Sequence, residues 1–563
     1  MIGFLKKNWL YILIILVLAV LSILDVSTFR YGFFTAYDEA YFLLKMQEAY
    51  DMSCITGKSQ WNLIAVQWFP YMDMTSKVNS YLAGRIIVWF TILAMTATCC
   101  FLFDKKKVLR YFALIYLVYF SVCRNAMSYI PLQITILCWA LCAFMLFHHS
   151  GKPWLKYLFA VVCGLCLGLA CFVYIPAALL VLGCVALLII ILYWGDKKTM
   201  LLSLISGIGG VGLAVGYMHF CVCNVGDIIE AMQFTAGYIG KSGYKYNGSS
   251  FVMQYGMFVR DLVFVVIAFT GSYYLSKVIR NKYVGTVLYV LLLLVYVHYQ
   301  KDPGVTPFMF LVSLPVLPVL MREDGGRRFA FRRLFRPNLW LNLFLLAFPL
   351  LASFGTNTDL GGRISGFTIS WLFLFFHWEA RHGQSEWNRV LVGAMVLMLL
   401  PLGEVIDAYR NRDDSFHFTR GNKYFAELAI TEKQKDYFDN VYDILEDYNY
   451  KPKESVVFTA LYDYCCLYAF DAVNSSNFHQ VQNFHFFDKE KMLKPDFIFM
   501  CKWDSVVLTD ELHEMPWGWP EDFDRYEIGT PEPDDAPWVL SSDLEKRTLY
   551  CRKSLKTGSD IIR

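Results

Sequence analysis

The sequence predicts an α-helical polytopic membrane protein with a small C-terminal α/β domain. Hydrophobic residues make up 56% of the 563 residues and charged residues only 18%, whereas soluble proteins carry about 25% charged residues. Most apolar residues lie in long uninterrupted blocks, and basic clusters separate several of these blocks. The apolar blocks end near residue 403. We therefore predict a transmembrane domain at residues 1–403 and a soluble domain at residues 404–563.

The membrane domain begins with an apolar block from about Trp9 to Val26. A helix needs ~20 residues to cross a hydrocarbon core of ~30 Å, and this block is long enough. No small-residue cleavage site follows it, which favours a retained span over a signal peptide. Similar blocks lie near residues 86–103, 108–123, 130–147, 156–173, 176–194, 200–218, 258–276, 283–299, 304–321, 338–354, 364–378 and 388–403. These blocks predict about thirteen transmembrane helices.

The basic clusters set the predicted orientation, because cytoplasmic loops carry an excess of Lys and Arg. A cytoplasmic N-terminus places the clusters at 105–107, 197–198, 277–282 and 327–336 on the cytoplasmic side. An odd number of spans then leaves the C-terminal domain outside the cytoplasm. The first outer segment, about 28–85, is long for a loop. The formal charge of only +3 and the dispersed basic residues argue against a nucleic-acid-binding protein.

The C-terminal segment shows the alternation of helix and strand patterns that is typical of a small α/β domain. A helix is predicted near 432–447, and strands are predicted near 456–461 and 497–501. Most of the 16 cysteines lie in apolar blocks, where they act as small hydrophobic residues. Four others, in the C-terminal segment, could form disulfides in an oxidising compartment, with the pairing left open. These four are Cys465, Cys466, Cys501 and Cys551.

An acidic pair, Asp38-Glu39, lies shortly after the first span. The apolar residues that follow the pair fall at helical spacing, which predicts a helix at the membrane surface. One interpretation is structural: Thr35 caps this helix, and Asp38 completes a capping box. That interpretation leaves Glu39 without a role, and two adjacent acids beside a membrane are costly unless they are solvated or functional. A capped helix that holds a functional carboxylate satisfies both interpretations.

An Asp-Glu pair that opens a helix just after the first span resembles the GT-C superfamily of glycosyltransferases that use polyprenyl-phosphate sugars. The nearest resemblance is to the protein O-mannosyltransferase and aminoarabinose-transferase branch. Arg85, at the start of the second span, is similar to an arginine of that branch. The turn Arg124-Asn-Ala between the third and fourth spans is similar to its Arg-x-Ala turn. The resemblance implies a GT-C-like fold for the membrane domain.

The resemblance also implies an activity, namely hexosyl or pentosyl transfer from a polyprenyl-phosphate donor to an acceptor hydroxyl at the outer face. Asp38 is then the general base, and Glu39 orients the acceptor. Arg85 and Arg124 hold the donor phosphate. The acceptor is a glycan, a lipid or a protein, and the remaining partners are membrane lipids. Direct displacement predicts inversion at the anomeric carbon.

The same resemblance bears on metals and on location. Ser128 stands near the position where many relatives carry an acid, so we predict no metal site there and leave a divalent cation open as a cofactor. The Trp-Trp-Asp motif of oligosaccharyltransferases is missing from the C-terminal domain. This absence argues against protein N-glycosylation and favours the inner membrane of a bacterium.

Lone basic residues on the outer side run against the usual charge distribution. Besides Arg124, they include Lys301 and Arg363, which follows a Gly-rich turn. Each could be a solvated interface charge with a buried stem. Alternatively they converge on a phosphate, which Arg binds in a bidentate manner and Lys binds as a point charge. Asp227, in a second outer segment at about 219–257, is a further candidate for substrate binding.

The main alternative is a multi-span transporter or flippase of a lipid-linked or anionic substrate. Such a protein needs ionisable residues at mid-depth and broken helices. The predicted spans hold almost no ionisable residues at their centres. Glycines at 207–212 and prolines at 303–318 could mark unwound helices, although close helix packing explains the glycines equally well. A non-catalytic scaffold would leave the acidic pair and the lone cations without a role.

Overall fold

The computed structural model describes a large part of both predicted domains. The described residues are 8–20, 80–122, 129–222, 248–279, 339–355, 370–382, 416–417, 429–430, 432–459, 464–475, 493–501, 521–529 and 547–557, with isolated residues between these ranges. Among the first 382 residues, the α-helices described over a continuous range are α1 (Asn8–Val20), α2 (Ser80–Cys99), α3 (Val108–Val122), α4 (Tyr129–His149), α5 (Pro153–Cys171), α6 (Ile175–Leu192), α7 (Lys197–Tyr217), α8 (Gly248–Ile279), α9 (Leu339–Ala352) and α10 (Ser370–His382).

Four of the described helices are long and apolar enough to cross a membrane, and the chain is an integral membrane protein. Their spans run over Leu132–His149, Pro153–Cys171, Ile175–Leu192 and Lys197–Cys221, close to the positions predicted from the apolar blocks. Helices α1 and α9 are also apolar but shorter. The predicted spans near 304–321 and 388–403 lie outside the described residues, so the total of about thirteen stays a prediction.

Two helices begin earlier than the apolar blocks indicate. Helix α2 begins at Ser80, so the last residues of the predicted outer segment 28–85 are helical. Helix α8 begins at Gly248, inside the predicted outer segment 219–257. The reason is that hydropathy marks only the apolar part of a helix, whereas backbone hydrogen bonding continues through polar residues such as Arg85.

Helices α5 and α7 cross with their backbones in contact. A Cβ placed on Gly164 would lie 2.0 Å from the carbonyl oxygen of Gly207, and a Cβ on Gly210 would lie 2.1 Å from that of Val161. Such close approach is the usual role of small residues between membrane helices. Helix α7 continues unbroken through Gly207 and Gly210. The glycines therefore serve helix packing, and α7 provides no unwound segment of the kind that a transporter needs.

The described part of the C-terminal segment contains helices α11 (Glu432–Asp447) and α12 (Tyr464–Phe470) with a mixed sheet. The strands are β1 (Phe416–His417), β2 (Ala429–Ile430), β3 (Val456–Thr459), β4 (Val473–Asn474), β5 (Phe497–Cys501), β6 (Phe523–Gly529) and β7 (Arg547–Arg552). The five-stranded sheet has the order β4-β3-β5-β7-β6, and β1 and β2 form a separate ribbon. Strand β3 is parallel to β4 and β5, whereas β7 is antiparallel to β5 and β6.

The sheet has a buried centre and an exposed edge. Every residue of β7 is buried, whereas the edge strand β6 alternates between buried and exposed positions. The cysteines Cys466 and Cys551 are buried free thiols, so neither forms one of the disulfides considered from the sequence. The predicted helix and two predicted strands are observed as α11, β3 and β5. The domain boundary at residue 404 remains a prediction.

Candidate functional site

Most of the residues that the sequence singles out lie outside the described residues. These are Asp38, Glu39, Arg124, Asp227, Lys301 and Arg363. Arg85 lies in the second turn of helix α2, and the described side chains of that helix begin at Trp89. The structure does, however, describe the helix ends that flank three of these segments, those of Asp38 and Glu39, of Arg124 and of Arg363. The contacts among those helix ends determine which segments start from the same end of the bundle.

The segment that carries Asp38 and Glu39 runs between helices α1 and α2, and both helices pack against α3. The hydroxyl of Tyr116 on α3 donates a hydrogen bond to the carbonyl oxygen of Leu18, at a distance of 3.0 Å. The ring of Trp89 on α2 lies 4.9 Å from the ring of Tyr116. One tyrosine therefore contacts the helices before and after the acidic segment.

The segment that carries Arg124 runs between α3 and α4, whose facing polar groups are paired. The hydroxyls of Tyr119 and Thr135 lie 3.3 Å apart in a buried position. Two residues earlier on α4, the side-chain amide of Gln133 donates to the carbonyl oxygen of Ala352 at 3.0 Å. Gln133 is 1% exposed. This buried bond joins the start of α4 to the end of α9.

The Gly-rich segment that carries Arg363 leaves from the same place. It follows Ala352, which accepts the bond from Gln133. On its far side, Gly366 packs against Ile134: a Cβ at Gly366 would lie 2.4 Å from the Ile134 Cδ1. The residues before and after the Arg363 segment thus contact neighbouring residues of α4. This part of the bundle, formed by Leu18, Tyr119, Gln133, Ala352 and Gly366, is called the loop end.

The turn between α5 and α6 also lies at the loop end. Gly355 has a φ of +87°, a conformation that glycine adopts without the steric penalty of a Cβ. A Cβ there would lie 2.7 Å from Pro176 Cβ and 3.4 Å from the hydroxyl of Tyr174, so the turn after α9 lies against the turn between α5 and α6. The hydroxyl of Ser353 is buried and has no hydrogen-bond partner among the described residues. The loop end therefore holds a buried polar group beside a Gly-rich turn.

Sequence reasoning missed Gln133 and Tyr174 as part of this region, and it included Ser353 only as the first residue of the Gly-rich turn. Gln133 is a polar residue inside an apolar block, and Ser353 opens the Gly-rich turn, so both carried a local signal. The contact between Gln133 and the end of α9 left no signal in the local sequence, because Gln133 and Ala352 are separated by 219 residues. No group of three His, Cys, Asp or Glu side chains that could hold a metal ion occurs in the part of the chain that the structure describes.

No protein-family model and no curated protein sequence matches the chain. Solved structures of two GT-C glycosyltransferases are similar to it. ArnT from Cupriavidus metallidurans matches in the apo state with 10% identity and a TM-score of 0.46, and bound to undecaprenyl phosphate with 10% identity and a TM-score of 0.42. Both matches cover 98% of this chain and 99% of ArnT.

The oligosaccharyltransferase of Archaeoglobus fulgidus, in complex with Zn and sulfate, matches with 12% identity and a TM-score of 0.41. That match covers 84% of this chain but 63% of the archaeal enzyme, so the chain spans less than two thirds of that protein. At these identities and TM-scores, neither the activity nor the ligands of either enzyme are carried over to this chain.

Proposed function

We propose that the chain is a membrane glycosyltransferase that moves a sugar from a polyprenyl-phosphate donor to an acceptor hydroxyl at the outer face of a bacterial inner membrane. One observation supports this proposal most directly: the described residues flanking the segments of Asp38, Arg124 and Arg363 all meet at the loop end. The segments that carry the acidic pair and two of the arginines are thus flanked by helix ends at one end of the described bundle. This combination suits a lipid phosphate and an acceptor that must lose a proton.

The proposed reaction is a single displacement. The acceptor oxygen forms a bond to the anomeric carbon while the bond from that carbon to the phosphate oxygen breaks. The phosphate keeps the bonding electron pair, and the acceptor proton passes to Asp38. Glu39 orients the acceptor, and the product has the inverted anomeric configuration. Because a phosphate is a weakly basic leaving group, no general acid is needed at its oxygen.

In this proposal, the basic residues bind the donor phosphate. Arg85, Arg124 and Arg363 donate paired N–H groups to its oxygens, and Lys301 adds a point charge. These groups stabilise the negative charge that the phosphate gains as the sugar leaves. Asp227 contributes to binding the sugar or the acceptor.

The proposal is tested with membranes that contain the full chain and a series of labelled polyprenyl-phosphate sugars. Asp38→Asn keeps the size of the side chain and removes the base, so we expect transfer to fall about 10²–10⁴-fold. Asp51→Asn, in the same predicted outer segment, is the matched control and should transfer like the wild type. Equal expression of both variants is checked by quantifying the chain in the membranes. Unchanged transfer by Asp38→Asn would rule out this residue as the base and turn attention to Glu39 and Asp227.

A further inference from the structure

The end of the bundle opposite the loop end is rich in lysine and histidine. Helices α2, α4, α6 and α10 end there, and α3, α5 and α7 begin there. The basic residues in or next to these helix ends include Lys105, Lys106, Lys107, Arg110, Lys152, Lys156, Lys197, Lys198, His148, His149 and His377. We call this region the lysine end. It takes no part in the proposed transfer reaction.

At the lysine end, three helices bring an ammonium group, a hydroxyl and an imidazole together. The ammonium nitrogen of Lys156 on α5 lies 4.7 Å from the centre of the Tyr193 ring and 5.8 Å from that of Phe147. The Tyr193 hydroxyl, just after α6, lies 3.3 Å from Nδ1 of His148 on α4 and donates a long hydrogen bond of 3.5 Å to the backbone carbonyl oxygen of His148. Burial raises the pKa of Tyr193 to about 12, so its hydroxyl stays protonated at neutral pH and is able to donate a hydrogen bond.

Further imidazole rings extend this group toward α10. The ring of His149 lies 4.9 Å from that of His148 and 6.3 Å from that of His377. His377 in turn lies 6.4 Å from Phe103, which follows α2. The aromatic and basic side chains therefore form a continuous group across four helices rather than a set of separate surface charges.

The acids at the lysine end do not balance this charge. Asp104 accepts a hydrogen bond from the backbone N–H of Lys106 at 3.0 Å, and Asp196 accepts one from that of Thr199 at 3.1 Å. Both carboxylates cap local backbone, and Asp196 also interacts electrostatically with Lys156 and with Tyr193. The described lysine end consequently carries an excess of positive charge.

The tendency of cytoplasmic loops to be basic explains the exposed lysines, but it does not explain the position of Lys156. An isolated interface lysine extends its ammonium group into water, whereas Lys156 is half-buried and lies over two rings. Two exposed tryptophans lie near it in the sequence: Trp154, two residues before Lys156, with 64% exposure, and Trp194, next to Tyr193, with 67% exposure. Tryptophan is the residue that membrane proteins place at the level of lipid headgroups.

We propose that Lys156 and Tyr193 bind the phosphate of an anionic phospholipid headgroup at the lysine end, with His148 holding the Tyr193 hydroxyl in position. The ammonium group supplies the charge. The Tyr193 hydroxyl exchanges its 3.5 Å bond to the His148 carbonyl oxygen for a bond to a phosphate oxygen, while its own oxygen accepts from Nδ1 of His148. Basic pockets between helices on the cytoplasmic side are suited to such headgroups.

The test uses the purified full chain in an uncharged detergent with added phosphatidylglycerol or, for comparison, phosphatidylcholine with the same acyl chains. Apparent lipid affinity is measured from the rise in unfolding temperature and from the lipids retained in native mass spectrometry. We expect phosphatidylglycerol to bind the wild type more tightly than phosphatidylcholine. Lys156→Gln should weaken phosphatidylglycerol binding about fivefold, which corresponds to the ~1 kcal/mol typical of one basic residue near an anionic membrane.

Lys152→Gln is the matched control, because Lys152 is an exposed lysine at the same end and should bind the lipid like the wild type. Tyr193→Phe removes only the hydroxyl and carries the test if Lys156→Gln does not fold. Equal binding of the two lipids, or equal weakening by Lys152→Gln and Lys156→Gln, would overturn the proposal. Equal protection by inorganic phosphate would also overturn it, since that would indicate a pocket for free phosphate.

Discussion

Asn449 ends helix α11 in a left-handed conformation with a φ of 55°. The N–H of Asn449 bonds to the carbonyl of Glu446 at 3.0 Å, and that of Tyr450 bonds to the carbonyl of Leu445 at 3.1 Å. These two bonds are the pair that defines a Schellman motif. Asparagine tolerates this conformation better than other residues that carry a Cβ, and glycine tolerates it best.

Replacing Asn449 should therefore change the stability of the end of α11 in a graded way. Asn449→Ala places an ordinary Cβ in the left-handed region, at a cost of about 1–2 kcal/mol, and Asn449→Gly should cost nothing or stabilise slightly. Hydrogen exchange of the full chain, measured on peptides that cover residues 440–450, checks this expectation. Exchange about 5–30-fold faster in the alanine variant alone is predicted. Equal exchange in all three proteins would show that the motif does not hold the helix end.

At the same scale, the sequence identified individual chemical groups but not their neighbours. The acidic pair and the lone arginines stood out because each contradicts its local surroundings, acids beside a membrane and cations on the outer side. Gln133 lies in an apolar block, and the local sequence does not explain why a polar residue occurs there. Its reason is the carbonyl of Ala352, 219 residues away, and a partner at that separation leaves no pattern in the local sequence.

At the scale of secondary-structure elements, the crossing of α5 and α7 depends on the absence of a Cβ at two glycines. Gly164 and Gly210 each face a backbone carbonyl at a distance where no Cβ fits, whereas a Cβ placed on Gly212 of α7 would have nothing within 4 Å. Overpacking of this kind typically costs 1–3 kcal/mol, because the helices must move apart. The glycine pattern thus specifies a contact rather than a flexible segment.

Gly164→Ala should lower the unfolding temperature of the purified chain, and Gly212→Ala should leave it unchanged or raise it slightly, because alanine favours helix over glycine. Thermal unfolding in one detergent, followed by tryptophan fluorescence, compares the two variants with the wild type. A Gly164→Ala protein as stable as Gly212→Ala would mean that α5 and α7 do not cross in contact.

The sequence predicted some secondary-structure elements better than others, because the strength of the local pattern differs between them. Helix α11 and strands β3 and β5 have strong local patterns, and the structure shows them where expected. Strand β4 has only two residues, which is too short to show a period. The order of the sheet depends on which strands pair across long separations, and that choice is made by packing rather than by local propensity.

For the whole molecule, the composition and the apolar blocks predicted a membrane protein, and the described helices are consistent with that class. The structure adds a distinction between two ends. The loop end gathers the flanks of the segments with the proposed catalytic residues, and the lysine end gathers imidazoles and ammonium groups. We propose that the first end carries out sugar transfer and that the second binds anionic lipid.

The central claim is that the sugar leaves its lipid phosphate, which distinguishes a transferase from a transporter of the same lipid-linked substrate. The most direct measurement reconstitutes the full chain in vesicles with a polyprenyl-phosphate sugar labelled in the sugar and an extract of acceptors. The account predicts that the label moves out of the polyprenyl-phosphate fraction, and that Asp38→Asn abolishes this movement. Label that stays on the polyprenyl phosphate but crosses to the other side of the vesicle would contradict it.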